Sequence, residues 1–111
     1  MVFKDLLKKE FVILDGAMGT VLQSKGLELG EIPEKLGIQK PEEIIAIHKS
    51  YIEAGSDIVY TNTFGANRYK LEGCGYSVQE IISKAVANAQ KACEGTSALV
   101  ALDIGPIGQL L

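Results

Sequence analysis

The sequence predicts an α/β protein built on parallel strands. Short β-rich apolar runs recur as FVIL, DIVYTN and ALVALD. Each runs into a polar or small, glycine-containing tip, and segments of helical period lie between them. Strands that alternate with crossover helices form a parallel sheet, with right-handed connections. Strands are expected near 11–15, 57–62 and 98–104, in the order β-α-β-α-β.

Taken along the chain, FKDLLKK at 3–9 predicts a short helical turn with Phe3, Leu6 and Leu7 on one face. FVIL at 11–14 does not alternate with polar residues, the pattern of a strand buried on both faces. Gly16 and Gly19 then permit a tight turn, and a short helix through Val21 and Leu22 ends near Gly26. Residues 26–40, with three glycines and a proline, read as a long irregular loop. Pro41 opens a helix, because its fixed φ suits the first helical position. Glu42 and Glu43 favour the positive end of the helix dipole, and Gly55 ends the run. Its expected apolar face is Ile44, Ile45, His48, Tyr51 and Ile52. After the second strand and a polar segment at 68–76, Ser77 and Glu80 make a capping box. The helix they open carries Val78, Ile81, Ile82, Ala85, Val86, Ala89 and Ala92 on one stripe and ends near Gly95.

Composition narrows the function classes. At 111 residues and 47% apolar, the chain suffices for one domain with a buried core. A net charge of −3, with no basic block or stripe, argues against nucleic-acid binding. Apolar runs are far short of the ~20 residues that span a bilayer, and the charged start MVFKDLLKKEF lacks the apolar stretch of a secretory signal. Cys74 and Cys93 form no disulfide framework, which fits a reducing cytoplasm.

Chemistry is expected at the strand tips: Asp15-Gly16, then Thr61-Asn62-Thr63-Phe64-Gly65, then Asp103 with Gly105-Pro106. Ligands of α/β folds bind at the carboxyl ends of parallel strands. Three adjacent strands would bring Asp15, Asn62 and Asp103 to one rim. There a carboxylate accepts from a ligand ammonium group, Asn and Thr supply neutral donors and acceptors, and glycines let a ligand approach the backbone. The same aspartates can instead serve as turn or cap residues bonding nearby N–H groups. Thr63 and Asn67 read as turn formers; Phe64 either lines a pocket or packs under the loop. His48, the only histidine, sits among isoleucines and reads as a packing or hydrogen-bonding residue rather than a catalyst. The cysteines lack metal-ligand spacing, and GAMGT is neither a dinucleotide fingerprint nor a P-loop.

LDGAMGT at 14–20, HKSYIEAGSDIVYTNTFGAN at 48–67 and DIGPIG at 103–108 resemble the homocysteine S-methyltransferase family, in particular its cobalamin-dependent methionine synthase branch. The resemblance covers the chain from about residue 10 onward. It implies a (β/α)8 barrel of which residues 1–111 are the N-terminal, homocysteine-binding part, ending after the third strand. It implies methyl transfer to a homocysteine thiolate held on zinc, making methionine, with methylcobalamin as donor and folate- and cobalamin-binding domains as partners. It also implies that Asp15 holds the amino-acid part of homocysteine and that Gly16, Thr61, Asn62, Thr63 and Phe64 lie beside the pocket. The family's zinc cysteines have no counterparts here, and Cys74 and Cys93 do not match their positions. The expectation is therefore that this piece alone is inactive and that its open strand edges favour self-association. A non-catalytic remnant or binding module is the alternative.

Overall fold

The computed structural model describes residues 3–28 and 31–107. Its elements run α1 (Phe3–Leu6), α2 (Gly19–Ser24), a 3-10 turn (Pro33–Lys35), α3 (Leu36–Gln39), α4 (Pro41–Glu53), β1 (Ile58–Tyr60), α5 (Val78–Cys93) and β2 (Leu99–Ala101). The glycine of DIGPIG at position 108 lies outside the described residues.

The two strands pair in parallel, with Ile58 opposite Leu99, Val59 opposite Val100 and Tyr60 opposite Ala101. A parallel bridge joins Leu14 to Ile58. The three apolar runs thus lie side by side in chain order, as expected, but the regular ladders are shorter than the sequence suggests. At the end of β1 the chain turns when Thr63 N–H donates to Thr61 C=O at 2.9 Å. That contact two residues apart is incompatible with an extended strand.

Residues 11–14 correct a stronger expectation. They are not buried on both faces: Phe11, Val12, Ile13 and Leu14 are 72%, 38%, 52% and 47% exposed. The helices pack on one face of the sheet, where Val59 is fully buried, while Tyr60, next along the strand, is exposed. Asp57 nevertheless fixes this segment. Its carboxylate accepts from Ile13 N–H at 2.9 Å and pairs with Lys9. The Lys9 hydrogen bond, then the Ile13 N–H, hold its carboxyl below the usual range.

The long helices follow the sequence closely. Pro41 is the first residue of α4, and Gly55 follows it at φ +114°, a conformation that favours glycine. Both halves of the capping box form: Glu80 N–H donates to Ser77 Oγ at 3.0 Å, and Ser77 N–H donates back to Glu80 Oε1 at 3.4 Å. On α4 the fully packed residues are Ile44, Ile47 and His48, so the face is turned toward Ile47 and away from Ile45. On α1 only Leu6 is buried; Phe3 and Leu7 are exposed.

Residues 26–40 are not an irregular loop throughout. Pro33–Gln39 coils into the 3-10 turn and α3, which packs against both α4 and α5. Leu36 joins Leu22, Ile44 and Ile47 in one core cluster. Gly37 C=O accepts from the buried Asn88 Nδ2 of α5 at 2.9 Å. Tertiary contacts, not helical propensity, order this glycine-bearing stretch.

Candidate functional site

The tips of the three extended segments surround a cleft of about 380 Å³, lined by Asp15, Gly16, Ala17, Met18, Gly19, Pro33, Glu34, Tyr60, Thr61, Asn62, Thr63, Phe64 and Asp103. All seven residues singled out from the sequence lie in that lining. Its volume falls at the lower end of small-molecule pockets, roughly 300–1,000 Å³. Its charged residues are three acids, Asp15, Glu34 and Asp103, with no Lys, Arg or His among them.

Asp15 is placed by the short parallel pairing. Its N–H donates to Ile58 C=O at 3.1 Å, and its Oδ2 accepts from Tyr60 N–H at 3.2 Å. Burial pushes its carboxyl above the ordinary range; the Tyr60 N–H and its own backbone N–H oppose this, and the charge of Asp103 adds to it. A cation arriving in the cleft would relieve both the lost solvation and the repulsion. Gly16 follows at a crowded point, where an added Cβ would lie 2.9 Å from Tyr51 Oη. That hydroxyl donates to Ala17 C=O at 2.7 Å and ties the turn to α4.

Thr61 and Thr63 are almost fully buried, and their hydroxyls are committed. Thr63 Oγ1 donates to Asp103 C=O at 2.6 Å. Its single proton is thereby used, so the 2.7 Å contact between the two hydroxyls has Thr61 as donor. Thr61 Oγ1 in turn accepts from Asp103 N–H at 3.2 Å. This closed circuit locks the tip of β1 to the tip of β2, so both threonines line the cleft as a frame. Asn62 Nδ2 donates to Pro33 C=O at 3.0 Å. Phe64 is 55% exposed and has the Lys70 ammonium 5.1 Å from its ring centre. Its backbone touches Gly105, where a Cβ would collide with Phe64 C=O.

Glu34 was not anticipated. Its residue is only 6% exposed, and Oε1 accepts from Gly65 N–H at 2.6 Å. No periodicity marks it, because it sits on a 3-10 turn in a glycine-bearing stretch. The remaining candidates do not join the cleft. His48 is fully buried in α4, and among the described residues neither ring nitrogen has a hydrogen-bond partner, so its contacts there are packing ones. Cys74 Sγ donates to Tyr76 C=O at 3.4 Å. Burial raises the Cys93 thiol, which disfavours the thiolate that metals bind. Among the described residues no three His, Cys, Asp or Glu side chains converge on a point that could hold a metal ion.

The family model for homocysteine S-methyltransferase matches residues 12–111. Methionine synthase of Mycobacterium tuberculosis (strain ATCC 25618 / H37Rv) is 42% identical over 69 residues, covering 57% of this chain and 6% of that protein. Selenocysteine Se-methyltransferase of Brassica oleracea var. italica is 32% identical over 98 residues, covering 85% of this chain and 28% of that protein. The crystal structure of the homocysteine methyltransferase MmuM from Escherichia coli, in its metallated form, superposes with a TM-score of 0.83 at 31% identity. It covers 96% of this chain and 41% of that one. The chain thus spans well under half the length of each of these proteins.

Proposed function

Because the chain belongs to the homocysteine S-methyltransferase family, we propose that its cleft is the amino-acid end of a homocysteine site in a methyltransferase that makes methionine. The observation that carries this reading is the acid-lined cleft at the strand tips, with Asp15 raised by burial and by Asp103. The ammonium group of homocysteine is the charge such a cleft accepts. Asp15 receives it, Gly16 lets the ligand approach the backbone, and Phe64 covers one side. The two threonines hold the Asp103 tip against the end of β1, and the Tyr60 N–H holds the Asp15 carboxylate there.

In the same reading the small parallel sheet is the opening part of a (β/α)8 barrel, and the cleft belongs to the barrel's carboxyl-end face. The thiol is the nucleophile. In the complete domain zinc would keep it deprotonated at neutral pH. The described cysteines do not fit that metal: one is engaged with a backbone carbonyl and the other lies at the end of α5, away from the cleft. No proton or methyl movement is therefore assigned to Cys74 or Cys93. Methylcobalamin is the donor favoured by the likeness to methionine synthase. A cleft of about 380 Å³ holds an amino acid and does not enclose a corrinoid, so no residue here is assigned to that group.

The test is calorimetric titration of the chain with L-homocysteine. Asp15→Ala is expected to weaken binding by about 1.5–3 kcal/mol, roughly 10- to 150-fold, the loss of a hydrogen bond to a charged group. Binding should also weaken on acidification, starting at a higher pH than an ordinary aspartate would give, because the ammonium needs the ionised carboxylate. Equal affinity in wild type and Asp15→Ala would remove Asp15 from the role. Methionine formation by residues 1–111 alone, with a methyl donor and zinc supplied, would overturn the expectation that they are inactive by themselves.

A further inference from the structure

We propose that Glu34 is a positioning residue for the cleft: together with Pro33, which lines the cleft beside it, it clamps the segment Asn62–Gly65 and sets where that wall of the site stands. The inference rests on the homocysteine reading for its ligand but not for its geometry. Two contacts carry it. Pro33 C=O accepts from the Asn62 side-chain amide at 3.0 Å, and Glu34 Oε1 accepts from Gly65 N–H at 2.6 Å. They grip the two ends of a four-residue stretch that contains Thr63 and Phe64.

The fit between Glu34 and Gly65 is close, so a side chain at position 65 would displace the carboxylate. A Cβ at position 65 would lie 2.8 Å from Glu34 Oε1 and 3.3 Å from its Cδ. Gly65 is buried, its φ is not in the left-handed region, and the carboxylate occupies the place of the missing side chain. What a larger residue would disturb here is the Glu34 contact and not the backbone conformation. A bond from a buried N–H to a carboxylate is also stronger than one to a neutral acceptor. The short 3-10 turn therefore does for one side of the tip loop what the Thr61–Thr63–Asp103 circuit does for the other. With both in place, the wall formed by Asn62, Thr63 and Phe64 is held before a ligand arrives, the condition for precise orientation of a bound group.

The experiment pairs two readouts on Glu34→Ala and Glu34→Gln: hydrogen exchange of the Gly65 amide by NMR, and homocysteine affinity by calorimetry. Glu34→Ala is expected to speed Gly65 exchange at least about tenfold and to weaken homocysteine about tenfold, since displacement of a site wall lowers affinity without removing a ligand contact. Glu34→Gln keeps an oxygen acceptor and should stay within about threefold of wild type in both. Unchanged Gly65 exchange in Glu34→Ala overturns the proposal. Equal loss of affinity in both variants with a protected Gly65 amide also overturns it, because the carboxylate would then be contacting the ligand. If wild type binds no homocysteine, the homocysteine reading fails while Gly65 exchange still decides whether Glu34 holds the loop. Should Glu34→Ala not fold, Glu34→Asp decides by the same two readouts. It keeps the charge but shortens the reach, and the alanine pattern is expected.

Discussion

At the scale of single residues, His48 shows how a side chain can matter without taking part in the site. It is fully buried, and neither ring nitrogen has a partner among the described residues. Burial alone lowers its pKa from 6.5 to about 4. Between those values the unfolded chain takes up a proton that the folded chain refuses. Stability is therefore intact above the unfolded pKa of 6.5 and falls as the pH drops toward 4. The total loss from this one group is about 3 kcal/mol. Urea midpoints at pH 7 and pH 4.5 should show a smaller drop for His48→Leu than for wild type. An identical drop would mean that other groups control acid stability. The leucine also removes two buried polar atoms that have no partner among the described residues, so it should not be less stable at neutral pH.

At the scale of elements, the two long helices are locally specified. In α5 the reciprocal capping bonds of Ser77 and Glu80 satisfy backbone donors that the first turn leaves open. Ser77→Ala should cost about 1 kcal/mol, measured as a shift in urea midpoint with unchanged slope. A shift near zero would show that packing of Ile81, Ala85, Ala89 and Ala92 alone sets this helix start. The segment Pro33–Gln39 behaves differently. Its helical turns exist because Leu36 is buried among Leu22, Ile44 and Ile47, and because Asn88 bonds Gly37. No local signal in a stretch containing glycines announces such contacts.

At the scale of the whole molecule, the helices leave much of the apolar surface around the sheet uncovered. Phe11, Ile13, Leu14, Tyr60, Leu102 and Ile104 are all at least 37% exposed, and β2 pairs only with β1 among the described residues. Open edges and exposed apolar side chains favour association. The isolated chain is therefore expected to self-associate as its concentration rises, and Ile13→Lys to weaken that association. Sedimentation over a hundredfold concentration range tests this. A single monomeric species throughout, with a sharp unfolding transition that does not depend on concentration, would sink the expectation.

The sequence by itself determined the α/β class, the order of the three apolar runs, the start of α4 at Pro41, the capping box and the family. These depend on local chemistry: proline's fixed φ, reciprocal side-chain caps and apolar period are readable within a few residues. The strand tips were legible for a related reason, since a chain order of strand and helix brings Asp15, Asn62 and Asp103 to one rim. Only the tertiary structure decided which of those residues have free groups. Thr61 and Thr63 spend their hydroxyls on each other and on the Asp103 backbone. It also decided that residues 11–14 are exposed and that Glu34 stands against Gly65. The first follows from helices that leave this segment uncovered, the second from a contact between residues 31 positions apart, and no pattern within a single segment records either.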